Sequence, residues 1–346
     1  MRELLAETVE RILTDLCPAT VVRAAEEGAW PDSLWRQIEE AGLPLALARE
    51  ADGGAGLAWR DVLPILVAAG RHAAPVPLGE AIAAHALAAS AERALPEGLP
   101  TLAVFEGEIG GTAGGRSTVR ARSVPHARKA SWVVGTLARP GQPAELLVMR
   151  AADATAEPDV RLAGEDRCNL LWTGARPALR ASIPPAVSAL EAGATLRAAQ
   201  LSGGIGRVLD LAVQYAGERK QFGKPIGKFQ AIQQQLAVLG ELATAAAMAA
   251  ELACDTAGLV PDPMRVACAK ARTSEAAVAA ATIAHAVHGA IGITEEHNLQ
   301  IYTRRLWAWR LDFGSEAYWT GVIGRRVLAD DRAAWQQMIE LSTRRG

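Results

Sequence analysis

The stretch from Ser202 to Leu239, SGGIGRVLDLAVQYAGERKQFGKPIGKFQAIQQQLAVL, constrains the fold more than any other. Apolar residues at Leu201, Ile205, Val208, Ala212 and Ala216 recur at three- and four-residue spacing, the pattern of a helix with one buried face. Gly223, Lys224 and Pro225 break that run. A second helical period follows at Phe229, Ile232, Leu236, Leu239, Ala243 and Ala246. The stretch therefore predicts two helices meeting at a corner. That corner carries Glu218-Arg219-Lys220-Gln221-Phe222-Gly223, two cations beside an aromatic ring. An arginine held at such a corner can make two-pronged hydrogen bonds to a phosphate. The same residues also suit a solvated basic corner, so chemistry alone leaves both readings open.

Composition sets wide bounds. The chain has 346 residues, 50% of them hydrophobic, enough for a large buried core and two or three domains. Alanine runs such as Ala245-Ala246-Ala247 favour helix and close helix packing. The formal net charge is −2 and no basic tract is interleaved with aromatics, which points away from nucleic acid. Cys17, Cys168, Cys254 and Cys268 lie far apart with no C-x-x-C, so neither a disulfide framework nor a zinc site is expected, and a reducing cytoplasm fits. The start, Met1-Arg2-Glu3-Leu4-Leu5-Ala6-Glu7, is acidic and amphipathic rather than a signal peptide. No apolar run is read as reaching the roughly 20 residues of a membrane span.

The first 95 or so residues read as helical. Leu4, Leu5, Val9, Ile12 and Leu16 form one stripe; Pro31 opens a helix that Gly42-Leu43-Pro44 ends; a glycine-rich turn, Glu50 to Leu57, precedes a helix from about Trp59. From Leu99 the pattern changes to short apolar or alternating runs: Thr101–Phe105, Ser117–Val124, Ser131–Leu137 and Glu145–Met149. Beyond Pro184-Pro185 the chain reads as helical to its end. Gly110 to Ser117 nearly fits a phosphate-binding loop, but Arg116 stands where lysine is needed and a strand pattern follows where a helix is needed, so a hairpin turn is expected. Gly203-Gly204-x-Gly206 follows no strand and is read as close helix packing. His285 and His288 share a helix face and Glu295-Glu296-His297 lies nearby, yet H-E-x-x-H is absent and no metal centre is expected.

Tyr215-Ala216-x-x-Arg219-x-x-Phe222-Gly223-x-Pro225-Ile226, with Phe229-Gln230 after it, resembles the C-terminal signature of the acyl-CoA dehydrogenase family. The likeness extends to His285–Tyr318 and more loosely to Gly42–Ala81. Members are FAD-dependent and remove two hydrogens from the α and β carbons of an acyl-CoA. The resemblance implies a mostly α, α+β fold: an N-terminal helical domain over 1–98, a middle β domain over 99–183, and a C-terminal helical bundle over 184–346 that builds the oligomer. It implies that Arg219 pairs with the FAD pyrophosphate and that Gln221 and Phe222 line the cofactor. Gln230 and the His288-Gly289 turn would hold its adenosine end. Ala286 and Ala290 depart from the family's usual Gln and Gly there.

The resemblance also shows what is missing. The family's catalytic Glu occupies one of two positions, which fall here on Phe313 and Gly193, and neither can take a proton. Asp312 and Glu316 are neighbours and the only weak candidates for a displaced base; a solvated or salt-bridged role suits them better. The T-E-P-x-A-G-S-D stretch that embraces the flavin ring is absent from the matching region at Thr101–Gly107. Own-subunit parts are lost while the part reaching a neighbour's FAD is kept. This implies the partner subunit of an α2β2 enzyme, paired with a homologous subunit that carries the base. Its substrate would be an acyl-CoA with a bulky, steroid-type group, and its acceptor an electron-transfer flavoprotein. Two alternatives stay open: a self-sufficient dehydrogenase with a displaced base, and a flavin-free structural or CoA-binding protein.

Overall fold

The long helix α6 (Ala189–Glu218) is the axis on which the other elements pack. The computed structural model describes residues 1–108, 118–139, 141–159 and 163–343, so the glycine-rich turn at Gly110–Ser117 lies outside the described residues. The stripe read from the sequence is buried: Leu201, Ile205, Val208, Ala212 and Ala216 are at most 1% exposed. The burial is wider than one face, however, because every residue from Ala192 to Ile205 is enclosed. Small residues permit this. A Cβ on Gly203 would lie 2.0 Å from the Val67 carbonyl oxygen, and one on Gly70 2.0 Å from that of Gln200. Helix α6 therefore crosses α4 (Trp59–Arg71) backbone against backbone.

Before α4 come α1 (Arg2–Leu16), α2 (Ala19–Glu26) and α3 (Asp32–Glu40); after it comes α5 (Leu78–Ser90). The stripe expected on α1 is shorter than predicted, with Val9, Ile12 and Leu13 buried and Leu4 exposed. A seven-stranded sheet follows: β1 (Pro100–Glu108), β2 (Thr118–Pro125), β3 (Trp132–Leu137), β4 (Glu145–Arg150), β5 (Thr155–Pro158), β6 (Arg167–Thr173) and β7 (Leu179–Ser182). Its order is β5-β6-β2-β1-β3-β4-β7, with β1 and β3 parallel and the other pairs antiparallel. Alternation divides its faces. Phe105, Val119, Val133, Leu147 and Trp172 form one core, while Leu102, Val134, Leu146 and Val148 join the helical core.

After the sheet and α6, a short hairpin leads to α7 (Gln230–Cys254), α8 (Pro263–His288), α9 (Leu299–Trp309), α10 (Glu316–Leu328) and α11 (Ala334–Thr343). One expectation is corrected here. Gln230–Cys254 and Pro263–Ile293 are long and apolar enough to cross a bilayer by length and composition. Alanine gives them that hydropathy. In the fold they pack on each other and on α6 as bundle helices, and α8 carries a fully buried lysine, Lys270.

A buried ion cluster ties the parts together. Asp312, between α9 and α10, accepts two hydrogen bonds from Arg167 of β6, at 2.7 and 3.0 Å, and one from Arg197 of α6 at 3.0 Å. Arg197 donates onward to Glu80 of α5 at 2.8 Å and to Gln200. Arg167 also holds Glu165 at 2.7 Å, and Trp309 donates its indole N–H to the same carboxylate at 2.8 Å. Burial pushes the Glu165 carboxyl up, but the fields of Arg167, Arg305 and Arg197 outweigh it and hold it well below the usual carboxylate range. Removing one member of such a cluster strands the others in low dielectric. Asp312→Ala is therefore expected to lower stability by about 3–5 kcal/mol, read as a shift of the denaturant midpoint. Asp330→Ala, which breaks a surface pair with Arg332, is expected to leave the midpoint almost unmoved in the same assay.

Candidate functional site

The break between α6 and α7 is wider than the three residues expected, spanning Arg219 to Phe229. Arg219 leaves the helix in extended conformation, its N–H still bonded to Tyr215 O at 2.9 Å. Two-residue strands β8 (Lys220–Gln221) and β9 (Lys224–Pro225) then pair antiparallel. Phe222 and Gly223 make the turn between them with φ of +51° and +80°, the double left-handed geometry of a tight hairpin. Phe222 is an unusual residue for that conformation, and its ring is 90% exposed. Among the described residues no carboxylate pairs with Arg219, Lys220 or Lys228, and Lys224 Nζ stands 4.4 Å over the Phe229 ring. The corner thus presents uncompensated cations around an open aromatic surface.

The end of α8 faces this corner, and together they enclose a cavity of about 500 Å³. Its walls include Arg219, Gln221, Phe222, His288 and Gly289, five of the six cofactor residues predicted from the sequence. The sixth, Gln230, is exposed at the first residue of α7 and does not line the cavity. Tyr215, Ile226, Phe229, Ile232 and Ile291 add apolar wall. Tyr215 could have been found from its spacing, one helical turn before Arg219. Gly289 takes φ +65° and ψ −147°, a conformation restricted to glycine, and nothing lies within 4 Å of where its Cβ would be.

His288 is buried and stacked on Tyr215, with ring centroids 4.6 Å apart, and His297 meets it edge-on at 4.7 Å. Its Nδ1 lies 2.7 Å from the Ala284 carbonyl, which fixes the proton on Nδ1 and leaves Nε2 as an acceptor. That Nε2 is buried without a hydrogen-bond partner. Burial lowers the His288 pKa, with His297 and His285 adding to the effect and the Ala284 carbonyl opposing it.

The two positions that the resemblance assigns to a catalytic Glu meet in space. The Phe313 ring lies against Gly193 so closely that a Cβ there would be 2.2 Å from Phe313 Cδ1. Neither neighbour is a free base. Asp312, expected to be solvated or salt-bridged, is buried beneath two arginines. Glu316 pairs with Arg310 at 2.9 Å at the start of α10. Sequence reading missed Lys270, whose Nζ donates to the carbonyls of Arg310 and Gly314 at 2.8 Å each and to Ser274 Oγ at 3.0 Å. Burial pushes this amine down to about 7, with Asp312 opposing.

Residues 183–328 match the family described as acyl-CoA dehydrogenase, C-terminal domain. Over 309 residues, 88% of this chain and 90% of the relative, the sequence is 32% identical to acyl-CoA dehydrogenase IpdE2 of Mycobacterium tuberculosis. This chain belongs to the acyl-CoA dehydrogenase family, whose members are FAD-dependent oxidoreductases. The fold agrees. A chain in the crystal structure of the ChsE4-ChsE5 complex from Mycobacterium tuberculosis matches with a TM-score of 0.82 and 26% identity, covering 96% of this chain and 98% of that one. A chain of the Tcur3481-Tcur3483 steroid ACAD matches with a TM-score of 0.78 and 24% identity over 95% and 98%.

The buried histidine gives a pH signature. Its folded pKa lies below the unfolded value of about 6.5, so the unfolded chain takes up the proton first. The stability contribution is complete above that value and is lost as the pH falls through it. The melting temperature of the wild type is expected to drop between pH 7 and 5.5, and to drop less in His288→Phe, which keeps the stack on Tyr215 without a titrating group. An unchanged slope in the variant would assign the acid sensitivity elsewhere.

Proposed function

We propose that this chain is the partner subunit of an α2β2 acyl-CoA dehydrogenase, completing the FAD site of a homologous subunit rather than supplying the catalytic base. The observation that carries this reading is the Phe313 ring seated on Gly193, with Asp312 engaged by Arg167 and Arg197. Both family positions for the base lack a carboxylate, and the neighbouring acid is bound elsewhere. The corner built by Arg219 and the α8 end is kept. The ChsE4-ChsE5 complex, in which a chain of this fold stands beside a differently named one, supports such an assembly.

The residues at the corner fit FAD on three counts. Among the described residues Arg219 and its neighbouring lysines have no carboxylate partner and His288 Nε2 is an orphaned acceptor, while Gly289 leaves an open backbone surface. Arg219 would pair with the pyrophosphate, and Gln221 and Phe222 would line the cofactor. The His288-Gly289 turn, with Gln230, would hold the adenosine end. FAD supplies the two-electron acceptor chemistry when bound; this chain's residues bind and orient it. An acyl-CoA with a bulky, steroid-type group is the proposed substrate, in line with the steroid ACAD of the same fold. An electron-transfer flavoprotein is the proposed acceptor. Four free cysteines suit a reducing cytoplasm.

A second reading, a self-sufficient enzyme, has one observation in its favour. Glu316 is only half-buried, and its Oε2 is enclosed without a partner although Oε1 meets Arg310. In the assembled complex, Glu316→Gln is expected to leave turnover within a few-fold of wild type, whereas loss of a true general base costs about 10²–10⁴ in rate. A collapse of turnover with normal flavin content would favour the second reading.

Cofactor retention is expected to depend on Arg219. Arg219→Ala removes a charge-assisted pair of about 1.5–3 kcal/mol, weakening FAD binding by roughly one to two decades. Titration of the apo complex with FAD, followed by flavin fluorescence, measures this. Unchanged affinity would make Arg219 a plain surface charge.

A further inference from the structure

The glycine-rich turn at Glu50–Leu57 borders a second cavity. It measures about 430 Å³ and shares no lining residue with the cavity at Arg219. Helices α3 and α5, the chain leading into the turn, and the stretch from Arg93 to Pro100 wall it. These walls are held by their own bonds. Gly54 and Gly56 donate their N–H groups to the carbonyls of Arg49 and Ala48 at 3.0 and 2.9 Å. A Cβ on Gly54 would lie 2.3 Å from Ala48 O, so the turn closes only on glycine. On the opposite wall the Trp132 indole donates to the Glu97 carbonyl at 2.8 Å, and the Arg93 N–H to Ala88 O at 2.9 Å. The cavity is therefore built into the fold, as small-molecule sites usually are.

Its surface has a definite chemistry. Trp35, Leu45, Ala89, Leu95 and the rings of Pro44 and Pro96 give apolar wall. Arg49 and Asp52 satisfy each other through two hydrogen bonds, at 2.6 and 3.0 Å. Glu39, Arg93 and Glu97 are exposed, at the rim, with charges of both signs. The polar group left over is His85. Its ring, half-buried on α5, lines the cavity and has no hydrogen-bond partner among the described residues. Glu80, on the same helix, faces Arg197 in the ion cluster. His85 follows it by five residues, so the two side chains leave α5 roughly 140° apart. Burial pushes the imidazole down to about 4, with Asp52 opposing. The ring is thus neutral near pH 7 and offers one donor and one acceptor. A histidine placed for packing alone would have these groups satisfied within the core.

We infer that this cavity is a second small-molecule site, taking an uncharged ring compound whose hydroxyl or carbonyl oxygen hydrogen-bonds to His85. A charged ligand would find no free counter-ion inside, because Arg49 and Asp52 neutralise each other. The flat faces of Trp35 and the two prolines suit a ring better than an extended chain. The site is independent of the proposed FAD contacts, none of which lines it.

Titration of the full chain, labelled with carbon-13 at its histidines, tests this with 2-naphthol as the probe. Its counterpart is 2-naphthoate, the same ring system carrying a charge. The imidazole NMR signal that is missing from His85→Leu belongs to His85. 2-Naphthol is expected to shift that signal saturably and to leave the other histidine signals in place, whereas the naphthoate is expected to leave it unmoved. By calorimetry, His85→Leu is expected to bind 2-naphthol roughly two- to tenfold more weakly than wild type, the share of one hydrogen bond. Leu95→Trp, which fills the space from the loop side, is expected to abolish binding. A His85 signal that 2-naphthol does not move, or full affinity in Leu95→Trp, would overturn the site. Equal binding of the naphthoate would overturn the uncharged class, and unchanged affinity in His85→Leu would overturn the role of the imidazole.

Discussion

Asp312 is the point at which the parts of this molecule are tied to one another. Arg167 reaches it from the sheet and Arg197 from the central helix, and Glu80 and Glu165 extend the cluster into α5 and to the indole of Trp309. A cluster of this kind adds little net stability over a well-packed apolar core, but it is intolerant of partial occupancy. Its effect is to fix where the elements sit. The loop carrying Phe313 inherits its position from this cluster on one side and from Lys270 on the other. An acid beside the family's base position is thus committed to architecture rather than left free for chemistry.

The corner at Arg219 follows a different logic. Here charge is left uncompensated at the surface, next to an exposed phenyl ring on a strained turn. Cations with no carboxylate partner among the described residues, and an exposed ring, contribute little to folding. Their arrangement is better suited to an anion with a flat ring system, and the neighbouring cavity supplies one glycine-only backbone turn and one buried acceptor. The molecule therefore combines a closed region, where carboxylates are missing or engaged, with an open one, where the proposed cofactor contacts lie.

Much of this was legible in the sequence, for local reasons. Helix periodicity located α1, α3, α4 and α6, and the alternating or apolar runs located β1 to β4. Strands β5, β6 and β7 escaped notice: β5 and β7 have only four residues each and β5 is wholly exposed, and β6, Arg167–Thr173, opens on a buried arginine and mixes polar with apolar residues. The enclosure of α6 was underestimated because its first half, ALEAGATLRAAQLSGG, reads as small and mixed rather than apolar. Helices α7 and α8 reach bilayer-like hydropathy through alanine spread along them, with no contiguous run of larger apolar residues. The motif at Arg219 placed five of its six proposed contacts around one cavity. The ion cluster was invisible, since Glu80, Glu165, Arg197 and Asp312 come together only through tertiary packing. The meeting of Gly193 and Phe313 was invisible for the same reason, although each had been singled out on its own.

The central claim is that this chain takes no proton from the substrate. Exchange of the acyl-CoA α hydrogens with solvent deuterium measures that step directly, without requiring oxidation. NMR of an acyl-CoA that the complex turns over, incubated in deuterium oxide with FAD and this chain alone, is predicted to show α hydrogens exchanging no faster than in buffer. The same substrate is predicted to exchange when the homologous subunit is added. Rapid exchange with this chain alone would mean that it holds a working base, and would contradict the account.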